Sequence, residues 1–163
     1  MHAPSSITHP SLGPQSRDLR KGRASIPGQV YLVTTVTKSR AKIFSELRCG
    51  RILVHALRRQ HEIGTIDSLA FVVMPDHLHW LFALGNSASL SKVIGSIKRL
   101  SAQEINRLKG TPGQPRWQDG FHDHALRREE DLKAVARYIV ANPIRAGLVQ
   151  RVGDYPLWDA CWI

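Results

Sequence analysis

With 163 residues, 42% of them hydrophobic, the chain is long enough for one domain with a real core and too apolar for a disordered protein. Twenty-three Lys and Arg against thirteen Asp and Glu leave a formal charge of +10, which points to a polyanion, nucleic acid first; a merely basic solvated surface is the alternative. No apolar run approaches the ~20 residues of a membrane span, and the two cysteines, Cys49 and Cys161, have no metal-type spacing, which argues for a reducing cytoplasm and against a disulfide framework.

Residues 1–16 are rich in Pro, Ser and His without an apolar centre, so they read as a disordered extension and not as a secretory signal. A compact basic arm follows, carrying Arg17, Arg20, Lys21 and Arg23. The β-branched and aromatic run Val30–Thr37 predicts a first strand. Ser45 is placed to cap a helix running to about Ile63, with Leu53, Val54, Leu57 and His61 along one side. Ile66 to Met74 reads as a second strand, Pro75-Asp76 as a turn, and His77 to Leu84 as a third strand in a hairpin with the second.

Ser89 opens the clearest helix, whose buried stripe is Leu90, Val93, Ile94, Ile97, Ser101, Ile105 and Leu108. A Gly/Pro loop, Gly110 to Pro115, precedes a fourth strand over Phe121 to Arg127. Glu129, Glu130 and Asp131 then begin a further helix, which Pro143 must end or kink. This order predicts an α+β sandwich: a mostly antiparallel sheet with helices on one face, the other face free for a ligand. The domain spans 17–155, basic arm included, and 156–163 read as a C-terminal tail.

The most informative segment is Phe71 to Phe82. On a strand, His77 and His79 share one face while Leu78 points to the other. Two imidazoles in so apolar a run need a partner, and a shared divalent metal is the simplest; two hydrogen-bonded histidines at a strand end are the structural alternative. On the last helix, Tyr138 and Asn142 lie four residues apart, within roughly 40° of one another, beside the apolar ridge of Leu132, Val135 and Ile139. Two imidazoles and an amide oxygen could hold an ion that polarises a phosphodiester. Tyr138 could then attack it, with Arg137 or the ion favouring the phenolate. A packing tyrosine and a helix-terminating Asn-Pro are the plain readings of the same residues. His122-Asp123-His124 is a second His-x-His in a more polar segment, read as a strand edge with DNA contacts.

Three blocks in order resemble the REP-associated tyrosine transposases of the HUH endonuclease superfamily. They are Val73–His79, Trp117–Arg127 and Tyr138–Val149, and the likeness runs from Arg17 to Tyr155. The resemblance implies a ferredoxin-like core, with Mg²⁺ or Mn²⁺ at His77 and His79 and Asn142 as third ligand. It also implies that Tyr138 is the nucleophile, cutting single-stranded DNA beside a hairpin-forming palindromic repeat through a 5′-phosphotyrosine. The basic arm takes the place of the family's hairpin-binding arm, Arg127 and Arg137 add DNA contacts, and a monomer is favoured. Two positions depart from the pattern: Trp80 stands where a smaller aliphatic is usual, and Tyr155–Ala160 differs from the usual C-terminal motif.

Rival functions are separable. A domesticated protein that grips repeat hairpins without cutting them would keep the charge and dispense with His77, His79, Tyr138 and Asn142, all of which are present. Two-histidine phosphoesterases need hydroxyls where this chain has Leu78-His79 and Asp123-His124. An RNA-recognition domain needs stacked aromatics on its central strands, and Tyr31 and Phe71 are too few.

Overall fold

The computed structural model describes residues 25–127 and 130–162. The extension 1–16 and the arm residues Arg17, Arg20, Lys21 and Arg23 lie outside the described residues.

Among the described residues nine strands and α-helices follow in order: β1 (Val30–Val36), α1 (Leu47–Glu62), β2 (Ile66–Met74), β3 (His77–Leu84), α2 (Leu90–Lys109), β4 (His122–Ala125), α3 (Leu132–Val140), α4 (Asn142–Arg145) and β5 (Trp158–Ala160). The strands form one antiparallel sheet in the order β4-β1-β3-β2-β5. Because β3 is inserted between β1 and β2, the first four strands with α1 and α2 make the split βαβ arrangement of a ferredoxin-like core. The expected α+β sandwich is therefore present. The residues read as a tail contribute β5, an edge strand on β2.

The two faces of the sheet are built differently. On one, Val33, Phe71, Val73, Leu78, Trp80 and Phe82 meet Leu53 and Leu57 of α1 and Val93, Ile94 and Ile97 of α2 in the main core. Trp80 is completely buried there, its ring 4.3 Å from that of Phe82, and its indole N–H donates to the Ser68 hydroxyl at 2.9 Å. That bond satisfies the polar atom that a large indole brings into a core.

On the opposite face α3 adds a third layer, where Ala136, Ile139 and Val140 pack on Ala70, Val72, Met74 and Leu81. Helices on one face thus describes α1 and α2 only. The reason lies in β2, whose residues Ala70–Met74 are buried without alternation because both of their faces are covered.

Local signals account for the helix ends. The Ser89 hydroxyl accepts from the Lys92 N–H, and Gly110 closes α2 at φ +65°, where a Cβ would be strained. Asp131 caps α3 by accepting from the N–H groups of Lys133 and Ala134. Ser45 does not cap α1: it sits in a short 3₁₀ turn, and Glu46 takes the cap position without a side-chain bond. Pro143, which has no N–H to donate, breaks the helical run into α3 and α4 at Ala141.

Candidate active site

β3 starts at His77, directly after the Pro75-Asp76 turn, so the pleat fixes which way its histidines face. His77 stands opposite Val36 and Met74, and His79 opposite Thr34 and Val72, which puts both rings on the face that carries α3. The ring centroids are 4.8 Å apart and the planes nearly perpendicular.

Both rings are held through Nδ1. His77 Nδ1 lies 2.7 Å from Asp76 Oδ1, and His79 Nδ1 lies 2.8 Å from the Thr34 hydroxyl. In the Nδ1–H tautomers each ring donates to its partner, and each Nε2 keeps a free lone pair. Burial raises the Asp76 carboxyl, but its contacts with His77 and Arg40 outweigh it and hold the group below its ordinary value. Arg40 reaches Asp76 at 3.1 Å from a turn in which Ser39 and Arg40 both adopt left-handed backbone, φ 55° and 51°. Such conformations cost of order 1–3 kcal/mol each in non-glycine residues, so the surrounding contacts must hold the turn in place. Burial, reinforced by the charges of His77 and Arg145, pushes His79 down to about 4. At neutral pH His79 is therefore the uncharged imidazole that a metal requires.

α3 and α4 bring the other candidates to this face. Tyr138 is 63% exposed, as its place on the flank of the α3 ridge dictates. The Asn142 Nδ2 group donates to the Ile139 carbonyl at 3.1 Å, which leaves its side-chain oxygen available. Arg145, seven residues after Tyr138, ties this segment together. Its guanidinium carbon lies 3.8 Å from the centroid of the Tyr138 ring, and Nη2 donates to the Tyr138 carbonyl at 2.6 Å. The same charge adds to the lowering of His79.

The remaining candidates lie elsewhere. Exposed Arg127 follows edge strand β4, where its N–H donates to Glu130. Arg137 points into a cleft with Lys133 and Trp162. His124 bonds Glu130 at 3.0 Å, whereas His122 pairs in register with Thr34 and so lies in the same cross-strand row as His79. Among the described residues no group of three or more His, Cys, Asp or Glu could hold a metal. Any cation at the imidazole pair would need Asn142, solvent or substrate to complete its shell. The donor chemistry fits such an ion, because two neutral nitrogens and one free amide oxygen leave positions open.

Sequence reasoning overlooked Arg145 and Thr34. Arg145 meets Tyr138 only because α4 resumes the helical path after the break at Ala141, which the sequence does not announce. Thr34 is visible only once the β1–β3 register is known.

The family model described as transposase IS200 like matches residues 26–142, most of the chain and every element from β1 to α3. The chain belongs to this transposase family. An Escherichia coli K12 REP-associated tyrosine transposase is 29% identical over 107 residues, 65% of this chain and 61% of that protein. The chain thus matches under two thirds of that relative's length. A Haemophilus influenzae protein provisionally given the same name is 27% identical over 144 residues, 79% of this chain and 78% of that one. Among solved structures, a REP-associated tyrosine transposase bound to a REP hairpin superposes with a TM-score of 0.67 at 25% identity, covering 83% of this chain and 79% of that one. Among the described residues no helix is long and apolar enough to cross a membrane.

Proposed function

We propose that this transposase-family chain is a metal-dependent endonuclease and strand transferase for single-stranded DNA, acting beside hairpin-forming palindromic repeats. The observation that carries the reading is the imidazole pair. Both rings are oriented through Nδ1 by Asp76 and Thr34, and His79 is uncharged at neutral pH. A purely structural pair of histidines would not need two oriented, lone-pair-bearing nitrogens on the face where a tyrosine emerges with a guanidinium stacked on its ring. The relatives named for REP association, and the solved one bound to a REP hairpin, supply the substrate class.

His77, His79 and the Asn142 oxygen would hold Mg²⁺ or Mn²⁺, which would polarise the phosphodiester and offset the charge that develops on it. Tyr138 Oη attacks phosphorus as its proton leaves to water. The P–O3′ bond breaks, and a free 3′-hydroxyl and a 5′-phosphotyrosine remain. Attack by that hydroxyl, or by another, on the tyrosyl ester reverses the step and rejoins DNA without an external energy source. Arg145 keeps the phenol oriented through ring and carbonyl, and its charge favours the approaching phosphodiester. Positive charge elsewhere, including the arm at Arg17, Arg20, Lys21 and Arg23 with Arg127 and Arg137, holds the DNA backbone. The protein acts as a monomer.

The test is a denaturing gel of the protein incubated with end-labelled hairpin DNA carrying single-stranded flanks, with Mg²⁺ or Mn²⁺. A covalent band that disappears in Tyr138→Phe, while native-gel binding survives, is the expected result. Binding with no adduct under any metal would leave a silent hairpin-binding protein instead.

A further inference from the structure

The flank of α3 that faces away from Tyr138 carries a second feature. Between α3 and β5 lies a cleft of about 150 Å³ lined by Lys133, Ala136, Arg137, Ala160 and Trp162. Its floor is apolar, since Ala136 and Ala160 are buried. Trp162 forms one wall and is 38% exposed. The chain's other tryptophans are engaged: Trp80 and Trp117 are buried, and the Trp158 indole N–H donates to the Val152 carbonyl. Lys133 and Arg137, one helical turn apart, form the opposite wall. Neither has a carboxylate within ion-pair distance among the described residues; Asp131, the nearest in sequence, uses its carboxylate to cap α3.

An exposed indole opposite two cations without an ion-pair partner among the described residues, in a cleft of about 150 Å³ that is too small for a helix or a loop, matches one planar ring attached to a phosphate. Stacking supplies affinity for any nucleobase, and the cations supply it for the backbone, without reading sequence. The place is also suitable. Arg137 immediately precedes Tyr138, about 100° around the helix, so a strand leaving the tyrosine crosses only the exposed face of α3 to reach the cleft.

We infer that the Trp162–Lys133–Arg137 cleft is a single-nucleotide subsite for the single-stranded DNA flanking the cleavage point. It holds one base against the indole and its phosphate between Lys133 and Arg137. This rests on the proposed DNA-processing function and adds a contact outside both the stem and the imidazole pair. Binding there anchors the flank on the far side of α3, so it acts on affinity for extended DNA and leaves stem recognition alone.

Three DNA probes separate the possibilities: a blunt stem-loop, the same stem-loop with an oligothymidylate extension on its 5′ or its 3′ side, and oligothymidylate alone. Wild type should bind one extended form more tightly than the blunt one, with quenching of tryptophan fluorescence. Trp162→Ala should remove that gain, a loss of about tenfold or more, and abolish the quenching. Trp162→Phe should retain most of the gain, and the double change Lys133→Gln with Arg137→Gln should lose it with thermal stability intact. Blunt stem-loop affinity should not change in Trp162→Ala. Equal affinity of Trp162→Ala and wild type for both extended forms would overturn the inference. So would quenching by polyglutamate in place of oligothymidylate, which would make the cleft an acidic-peptide site. Failure of wild type to bind any of the probes would instead sink the DNA-processing reading itself.

Discussion

The two faces of the central sheet are built from alternate residues of the same strands, yet they do opposite work. The face under α1 and α2 is mostly apolar: the Trp80 indole nitrogen is satisfied by Ser68 and that of Trp117 by Ser101, while the buried Thr35 hydroxyl, opposite Leu78, has no partner among the described residues. The face under α3 is fully covered over β2 but only partly over the start of β3, where half-buried His77 and His79 stand beside Thr34 and, one strand further out, His122. Shifting β3 by one residue would exchange the two sets, so the register that buries Leu78 and Trp80 is also what presents the imidazoles. Stability and chemistry are therefore coupled through the pleat, although they reside on separate faces.

Substitutions on the two faces should accordingly part company. Tyr138→Phe should abolish the covalent adduct altogether with no measurable change in melting temperature, because the ring is mostly exposed and Phe keeps its stacking on Arg145. Trp80→Ala, across the sheet, should do the reverse in kind. A loss of about 3–5 kcal/mol in denaturant unfolding is expected, and any activity that survives should keep its metal requirement. Asp76→Asn should lower stability only modestly, through loss of the Arg40 ion pair, and weaken Mn²⁺ binding about 10- to 100-fold in a calorimetric titration, since the Asp76 carboxylate orients His77. Equal effects on stability and metal binding would blur the division of labour. Arg145→Ala should slow adduct formation with unchanged hairpin affinity, and Arg145→Lys should restore charge without the flat stacking contact.

The smallest effect comes from Tyr155, which touches both clusters and donates its hydroxyl to the Val73 carbonyl. Burial pushes it up to about 12. Its folded pKa lies above the ordinary value of 10, so its contribution is complete below pH 10 and is lost as pH rises from 10 through about 12. Tyr155→Phe should cost about 1 kcal/mol at neutral pH and flatten the alkaline limb of a stability-against-pH curve.

Much of this architecture was legible from periodicity. A spacing of two placed His77 and His79 on one face, and Ser89 and the apolar stripe after it marked α2 within a residue. The third layer was missed although its signal was present. Consecutive apolar residues from Ala70 to Met74 mean cover on both sides of a strand, whereas alternation would have meant one. β5 could not be read, because three residues after a proline carry no period; what makes Trp158–Ala160 a strand is the free edge of β2. Of the site, the residues with a motif spacing could be named in advance. Those that act through another residue could not: Thr34 depends on register, Arg145 on how the chain resumes after Pro143, and Trp162 on where β5 docks.

The central claim is that Tyr138 and the imidazole pair share one cation. Fluorotyrosine incorporated at the chain's three tyrosines, with Mn²⁺ titrated in and fluorine relaxation recorded, tests that proximity without requiring turnover. The Tyr138 resonance, assigned through Tyr138→Phe, should broaden strongly and recover in His77→Ala and His79→Ala. A Tyr138 signal that stays sharp at saturating Mn²⁺, or one that broadens equally in the histidine variants, would contradict it.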